Sequence, residues 1–432
     1  MDLRITPNLL LGSVVAPPSK SQAHRALIEA ALADRPSTVL CAGTNADIEA
    51  TVRCLRALGA SLSWDGDAWA VVPIDRRSSC ASEVTLDCGE SGSTLRFLLP
   101  VTPALGVTAR FVGAGRLLQR PLGPLVAALE KHGAAVEQGE DAIVVTGRLQ
   151  AGCFCLPGDV SSQFVSGLLF AVQLLGAPSR IAVAEPVSSK AYVDLTVRAL
   201  RRFGVAVCVT RARKGEAPYL CFDVAGTGPV APEHPVVVEG DWSAAAFWLC
   251  AGALGSSVTV EGLDLSSPQG DRQVLGALAL LGCRVTRGRG QCAAAPDGSL
   301  VARSIDVDAV PDLVPPLAAV MALAPGDGRI TGASRLRIKE SDRLATVRAG
   351  LGALGACVRE EGDDLQFSGV EGLAGGVVDA CNDHRIAMMA AVAATRCSCP
   401  VTIRGAECVS KSYPGFWDDY RALGGVVEEV DR

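Results

Sequence analysis

Eight cations stand where a helix would ordinarily carry acids. Lys20, Arg25, Arg120, Lys190, Lys339, Arg343, Arg385 and Lys411 lie in or beside short polar stretches that open predicted helices, among them PSKSQAHRAL (18–27), QRPLGPL (119–125), IKESDRL (338–344) and NDHRIAM (382–388). A helix start exposes unpaired N–H groups and the positive end of the macrodipole, so acids are favoured there and cations disfavoured. A ligand with several negative charges removes the conflict, because the N–H groups and the cations then bind the same anion. Taken singly, the Ser and Asp residues at these starts are ordinary N-caps. Arg343 fits a surface pair with Glu340 at i, i+3, Asp312 fits a cap behind Pro311, and a lone His384 reads as structural. Only the set points to a polyanion site.

The elements that must position these residues are written six times. LRALGASL (55–62) returns as LEKHGAAV (129–136), LRRFGVAV (200–207), LALLGCRV (278–285), LGALGACV (351–358) and YRALGGVV (420–427), with glycines at 59, 133, 204, 282, 355 and 424. Those glycines are 69 to 78 residues apart, so the repeats fill the 432-residue chain. Each copy reads as the last turn of an amphipathic helix, a left-handed glycine stop and a strand. Ahead of it each unit has a second helix that is apolar nearly throughout, as in residues 167–175, 245–254 and 386–394, and such a helix is buried on all sides. The unit is β-α-β-α-β-β, the fold class α/β, and six units make two domains of three. Residues 214–235 match no unit element and read as a turn-rich surface passage.

Composition narrows the function. A net charge of −6 argues against a nucleic-acid binder. The 16 cysteines are scattered through apolar stretches such as those around Cys250, Cys283 and Cys357; only Cys153/Cys155 and Cys397/Cys399 are close, and neither pair has the spacing or the histidines of a zinc site. Most of them read as small core hydrophobes in a reducing cytosol. No signal-like segment opens the sequence, and its longest apolar runs, about a dozen residues, fall short of the ~20 a membrane helix needs. A cytoplasmic location is expected.

In PSKSQAHRAL (18–27), CGESGSTLR (88–96), QRPLGPL (119–125), SSQF (161–164), Pro311–Asp312, IKESDRL (338–344), NDHRIAM (382–388) and SKSYP (410–414), the whole chain resembles the 5-enolpyruvylshikimate-3-phosphate synthases, enolpyruvyl transferases of aromatic amino acid biosynthesis. The resemblance implies a two-domain inside-out α/β barrel of six βαβαββ repeats, three per domain, with buried parallel helices and an active site between the domains; the chain is expected to cross near Val15–Ser19 and Val236–Gly240, giving one domain of residues 1–17 plus 240–432 and another of 18–239. It implies transfer of the enolpyruvyl group of phosphoenolpyruvate to the 5-hydroxyl of shikimate 3-phosphate through a tetrahedral intermediate, without metal or cofactor, in a monomer inhibited by glyphosate. Position by position, it puts Lys20, Ser21, Arg25, Ser161, Ser162, Gln163, Ser189, Asp312 and Lys339 on shikimate 3-phosphate. Lys20, Gly92, Arg120, Gln163, Arg343, Arg385 and Lys411 fall on phosphoenolpyruvate. The chemistry then falls to Asp312 as proton acceptor and Glu340 as donor, with Lys339 and Lys20 beside them; two carboxyl groups in unlike surroundings can hold opposite protonation states. Arg96 and Arg337 are supporting charges, and Lys190 matches a family position with its side chain toward solvent. Glu90 stands where many members have Asn and is expected to turn away or pair with a cation; Arg335 stands where some present Asn and is not counted as a ligand.

The sister transferase acting on a UDP-sugar is the nearest alternative, but it usually carries a reactive cysteine on the loop corresponding to GAGRLLQR (113–120), which has none. An RNA-end cyclase of related architecture conflicts with the acidic charge. A non-enzymatic repeat scaffold would present similar surfaces in each copy, whereas the six helix starts here all differ.

Overall fold

The computed structural model describes residues 1–76, 83–159, 161–215 and 217–430. Twelve α-helices lie among them: α1 (Lys20–Leu32), α2 (Ala46–Ala57), α3 (Gly92–Leu105), α4 (Gly123–Glu130), α5 (Ser162–Val172), α6 (Lys190–Arg202), α7 (Trp242–Ala253), α8 (Val274–Leu280), α9 (Val314–Met321), α10 (Arg343–Ala353), α11 (His384–Ala394) and α12 (Phe416–Ala422). None is long and apolar enough to cross a membrane.

The six recurring glycines close α2, α4, α6, α8, α10 and α12, with φ between +74° and +102°, the left-handed region where a Cβ is penalised. After four of them the next N–H bonds back five residues, as in Ala60 N–H to the Leu55 carbonyl (3.0 Å) and Gly425 N–H to the Tyr420 carbonyl (2.9 Å), which ties off the last turn. A strand follows each glycine and folds back antiparallel on a neighbour.

Six four-stranded sheets share one strand order. In one, Val84–Asp87 runs parallel to Ala109–Val112, which pairs antiparallel with Ile143–Gly147, which pairs antiparallel with Ala134–Gln138. Three sheets borrow a strand from a distant part of the chain. Leu11–Val15 pairs in parallel with Ser257–Glu261, Val236–Val237 does so with Ser37–Leu40, and Asp2–Thr6 sits between Val401–Arg404 and Val426–Val430. The chain divides into two compact units, Met1–Pro17 with Glu239–Arg432, and Pro18–Val238.

Each unit has its own core of Ala, Val and Leu. In the first, α7, α9 and α11 pack on one another, and every residue of α9 and α11 is buried. In the second, His24 of α1 meets Phe97 of α3 edge-on, Phe97 meets Phe170 of α5, and Gln173 at the end of α5 donates to Glu29 of α1 (2.6 Å). These helices lack a polar face because sheets and outer helices leave none of their sides to water.

Two expectations are corrected. Residues 214–235 are not simply a turn-rich passage, since Val207–Lys214 and Ala217–Val224 form a long hairpin; the polar, Arg-rich sequence around 210–213 hid an outward-facing strand. Cys357 is exposed rather than a core residue, as are Cys153, Cys155 and Cys208, because alternate strand positions face outward; Cys381 and Cys399 are exposed in turns outside the strands.

Candidate active site

In the unit spanning 18–238, α1 begins at Lys20 itself, whose ammonium meets Asp47 Oδ2 at 2.8 Å. Asp47 lies in the first turn of α2 behind the Asn45 cap. Its sequence position reads only as a dipole-stabilising acid, so the pairing was not legible. Ser21 is half-buried. Arg25 is buried and donates to Thr196 Oγ1 (2.8 Å), to the Tyr192 carbonyl (2.9 Å) and to the Ser21 carbonyl. Burial pulls its pKa down to about 9, which leaves it cationic at neutral pH.

Ser91 caps α3, its Oγ accepting from the Thr94 N–H at 3.2 Å. Gly92 opens the helix. A Cβ there would stand 2.8 Å from Arg120 Nη1 and 3.0 Å from Arg96 Nη1, so glycine lets two guanidinium groups lie across the helix start. Arg120 arrives at the end of the Leu117–Gln119 turn. Arg96 Nη1 donates to Gln163 Oε1 (2.8 Å) and Gln163 Nε2 to Ser93 Oγ (2.9 Å), which joins the starts of α3 and α5. Sequence reasoning left Arg96 as a supporting charge; its place one turn after Gly92 was the available signal.

Ser161 caps α5 by accepting from the Gln163 N–H (3.3 Å), and Ser162 is its buried first residue. Ser189 stands at the N-cap position of α6 with φ +50° and is buried, its side chain making no capping bond. The two stretches leading to these serines cross tightly. A Cβ on Gly158 would fall 1.9 Å from the Ala184 carbonyl oxygen, and the Ser188 N–H bonds the Gly158 carbonyl at 2.9 Å. Glu90 turns its carboxylate to the 113–116 loop, where a Cβ on Gly115 would be 3.0 Å from Oε2. Lys190 is exposed and pairs with Asp194 at 2.7 Å.

In the other unit, a tight turn at Pro311–Leu313 ahead of α9 presents Asp312. Its Oδ1 accepts from Arg343 Nη1 (2.7 Å) and Lys339 Nζ (3.4 Å), and its Oδ2 from Arg385 Nη2 (3.2 Å). Burial pushes this carboxyl up, but Arg385, Lys339 and Arg343 together prevail and hold its pKa well below the usual carboxylate range. Arg343, the first residue of α10 and 1% exposed, also donates to Glu340 Oε2 (2.6 Å) and to both oxygens of Asp383 (2.7 and 3.3 Å). The i, i+3 pair that the spacing allowed exists, but inside the protein rather than on a helix surface. Burial opposes the charge on Arg343; Asp383, Glu340 and Asp312 outweigh it and raise the pKa. For Lys339 burial wins over Asp312 and lowers it.

Asp383 is the residue that sequence reasoning missed. It is fully buried, caps α11 through the Arg385 N–H (3.0 Å) and accepts from Ser341 Oγ (3.0 Å), so it fixes two helix starts and one guanidinium together. Its only sequence signal was an acid in NDHRIAM, two residues before Arg385. Lys411 ends the Ala406–Lys411 turn and donates to the Asn382 carbonyl (2.7 Å). Asp271 is also buried, bonded to Ser243 Oγ, with its pKa raised to about 6 by burial and then by Asp312. Arg335 turns to Asp308, 3.2 Å from Oδ1. His384 is buried as the first residue of α11.

Asp312, Glu340 and Asp383 thus face Arg343, Arg385 and Lys339. Such a cluster can exchange its own carboxylates for those of an anionic ligand without stranding a charge.

The family model for EPSP synthase (3-phosphoshikimate 1-carboxyvinyltransferase) matches residues 6–420. The 3-phosphoshikimate 1-carboxyvinyltransferase of Clostridium kluyveri is 40% identical over 431 residues, covering 98% of each chain. That of Clostridium beijerinckii is 40% identical over 440 residues, covering 99% of this chain and 98% of its own. Among solved structures, an EPSP synthase from Acinetobacter baumannii superposes with a TM-score of 0.77 at 27% identity, over 99% of this chain and 100% of that one. The enolpyruvyl transferase NikO from Streptomyces tendae, at 19% identity, 99% and 98% coverage and a TM-score of 0.77, shares the fold. With its family match nearly end to end, the chain belongs to the EPSP synthase family.

Proposed function

We propose that the protein transfers the enolpyruvyl group of phosphoenolpyruvate to the 5-hydroxyl of shikimate 3-phosphate, and that the residues of both units described above act on this one pair of ligands. The observation that carries the reading is Asp312, a half-buried carboxylate kept ionised by three cations that themselves suit phosphate and carboxylate. The six sheets of one strand order support the finer reading of the fold as an inside-out α/β barrel of six repeats with parallel buried helices. A cytoplasmic monomer without metal or cofactor belongs to the same reading.

In this mechanism Lys20, Ser21, Arg25, Ser161, Ser162, Gln163, Ser189, Asp312 and Lys339 hold shikimate 3-phosphate, and Lys20, Gly92, Arg120, Gln163, Arg343, Arg385 and Lys411 hold phosphoenolpyruvate. The arriving anions draw Arg343, Arg385 and Lys339 toward themselves. Each cation that leaves Asp312 removes about 4 kcal/mol of stabilisation of the ionised carboxylate at 4 Å and an effective dielectric near 20. Asp312 therefore becomes a stronger base when the substrates are in place. It takes the 5-hydroxyl proton as that oxygen bonds to C2, while Glu340, released from Arg343 and protonated from water, gives that proton to the methylene carbon. The resulting tetrahedral intermediate collapses when Glu340 recovers a proton from the new methyl group. The C2–O bond to phosphate breaks, and phosphate leaves with the proton held by Asp312.

Phosphate release from phosphoenolpyruvate is the test. It is expected only with shikimate 3-phosphate present and is indifferent to EDTA. Release with a UDP-amino sugar instead would assign the protein to the sister transferase.

A further inference from the structure

A buried line of hydrogen bonds runs from the middle of α1 to the start of α3 and is not used by the chemistry above. His24 Nδ1 is 2.7 Å from Thr51 Oγ1, Thr51 Oγ1 is 2.7 Å from Thr94 Oγ1, and Thr94 Oγ1 donates to Ser91 Oγ at 2.8 Å. His24, Thr51 and Thr94 are wholly buried and Ser91 is 1% exposed. Each link comes from a different element: α1, α2, the first turn of α3 and its N-cap.

Counting protons gives the line a direction. A hydroxyl has one proton. Thr94 spends its proton on Ser91, its 3.5 Å approach to the Asp47 carbonyl being too long to compete. Thr51 must then donate to Thr94, and His24 must donate to Thr51 from Nδ1. The imidazole is therefore the Nδ1–H tautomer, with Nε2 a bare acceptor, and Nε2 has no hydrogen-bond partner among the described residues. Burial, then Lys20 and Arg25, keep the ring neutral, as this order requires. Every O–H and N–H dipole in the line points its positive end toward the start of α3, in the sense of that helix's own dipole. Ser91 Oγ accepts both the Thr94 hydroxyl and the Thr94 N–H, so its position is fixed from two sides.

We infer that His24, Thr51 and Thr94 are positioning residues for phosphoenolpyruvate, acting through Ser91 to fix and polarise the helix start at Gly92. The inference rests on the reading of Gly92 and Arg120 as the phosphoenolpyruvate side. A chain that only fills polar space in the core would affect stability without distinguishing the two substrates.

The experiment measures phosphate release with each substrate varied in turn, for Thr51→Val, Thr51→Ser, Thr94→Val and Thr94→Ser, with melting temperatures alongside. The valine variants should raise KM for phosphoenolpyruvate about tenfold, the scale of one net hydrogen bond, while KM for shikimate 3-phosphate stays within about twofold. The serine variants should recover most of that loss. If Thr94→Val fails to fold, the Thr51 pair decides alone. Independently, nitrogen chemical shifts of His24 should report the Nδ1–H tautomer. Equal changes in both KM values, valine variants indistinguishable from the parent, or an Nε2–H tautomer would each overturn the inference. A parent protein inactive with both substrates would instead overturn the functional reading on which it rests; the tautomer measurement still tests the line itself.

Discussion

Replacing Asp383 with Asn removes one charge from a cluster that the structure balances three against three. Asn keeps the shape of Asp, so its Oδ1 can still cap α11 and accept from Arg343. Its amide, however, takes the place of Oδ2 and must face both the Arg343 Nε–H and the Ser341 hydroxyl, which are donors in the parent. With the guanidinium 1% exposed and the carboxylate 0% exposed, water cannot substitute. One unit-charge contact at 4 Å and an effective dielectric near 20 is worth about 4 kcal/mol, and the retained dipole offsets part of it, leaving roughly 2–3 kcal/mol. For a unit of about 200 residues that is a fall in melting temperature of roughly 5–10 °C. Arg343 should then lean further onto Asp312 and Glu340, the proposed base and acid, and kcat should drop about 100-fold. KM for phosphoenolpyruvate should move by no more than about threefold, because poorer orientation and an extra positive charge act in opposite directions. Steady-state phosphate release and a melting curve on the same preparation decide the matter. A variant that melts lower but keeps kcat within about threefold of the parent would refute the claim that Asp383 organises the site.

Glu29→Gln tests the other core. Burial raises Glu29 to about 8, with the Gln173 bond opposing weakly. A carboxyl whose folded pKa lies above its unfolded value costs stability as pH rises from about 4.5 through 8, up to about 5 kcal/mol; the variant should melt like the parent at pH 5 and well above it at pH 9, and parallel curves would refute this. Gly92→Ala should fold normally, since only the flexible ends of Arg120 and Arg96 must move, yet raise KM for phosphoenolpyruvate about tenfold and weaken competitive inhibition by glyphosate; unchanged inhibition would count against the placement of Gly92. Lys190→Ala should leave phosphate release within about twofold, because that side chain is exposed and paired only with Asp194 among the contacts described; a tenfold loss would make it a ligand.

Local periodic features were legible in the sequence. The six glycines declared the helix ends because a positive φ admits little else, and the apolar runs declared buried helices. Pairings between distant segments were not legible. Nothing in residues 2–15 states that Asp2–Thr6 and Leu11–Val15 complete sheets begun some 240 to 420 residues away, because strand partnership depends on which edge the closing chain leaves open. Lys20 with Asp47 and Arg343 with Asp383 were hidden for the same reason, being contacts between elements far apart in sequence. Cys357 was misread because a short strand's inward and outward faces differ by one residue of register.

The cations at helix starts deserve a different account from the one their sequence positions suggest. Acids are not missing from those starts. Asp342 caps α10 and Asp383 caps α11, serving the dipoles through the Ala345 and Arg385 N–H groups, while Arg343 and Arg385 project from the same turns toward carboxylates on other elements. Helix stability and cation storage are thus handled by different atoms. The cost of burying Arg343 is met by Asp383, which has no reason to move, and by Asp312 and Glu340, which are 18% and 17% exposed and can be released. In the proposed mechanism, a polyanion that takes the place of those two frees the base and the acid in the same event. Ligand binding and the arming of Asp312 would then be a single electrostatic exchange, which requires the same cations to touch both the proposed catalytic carboxyls and the ligand.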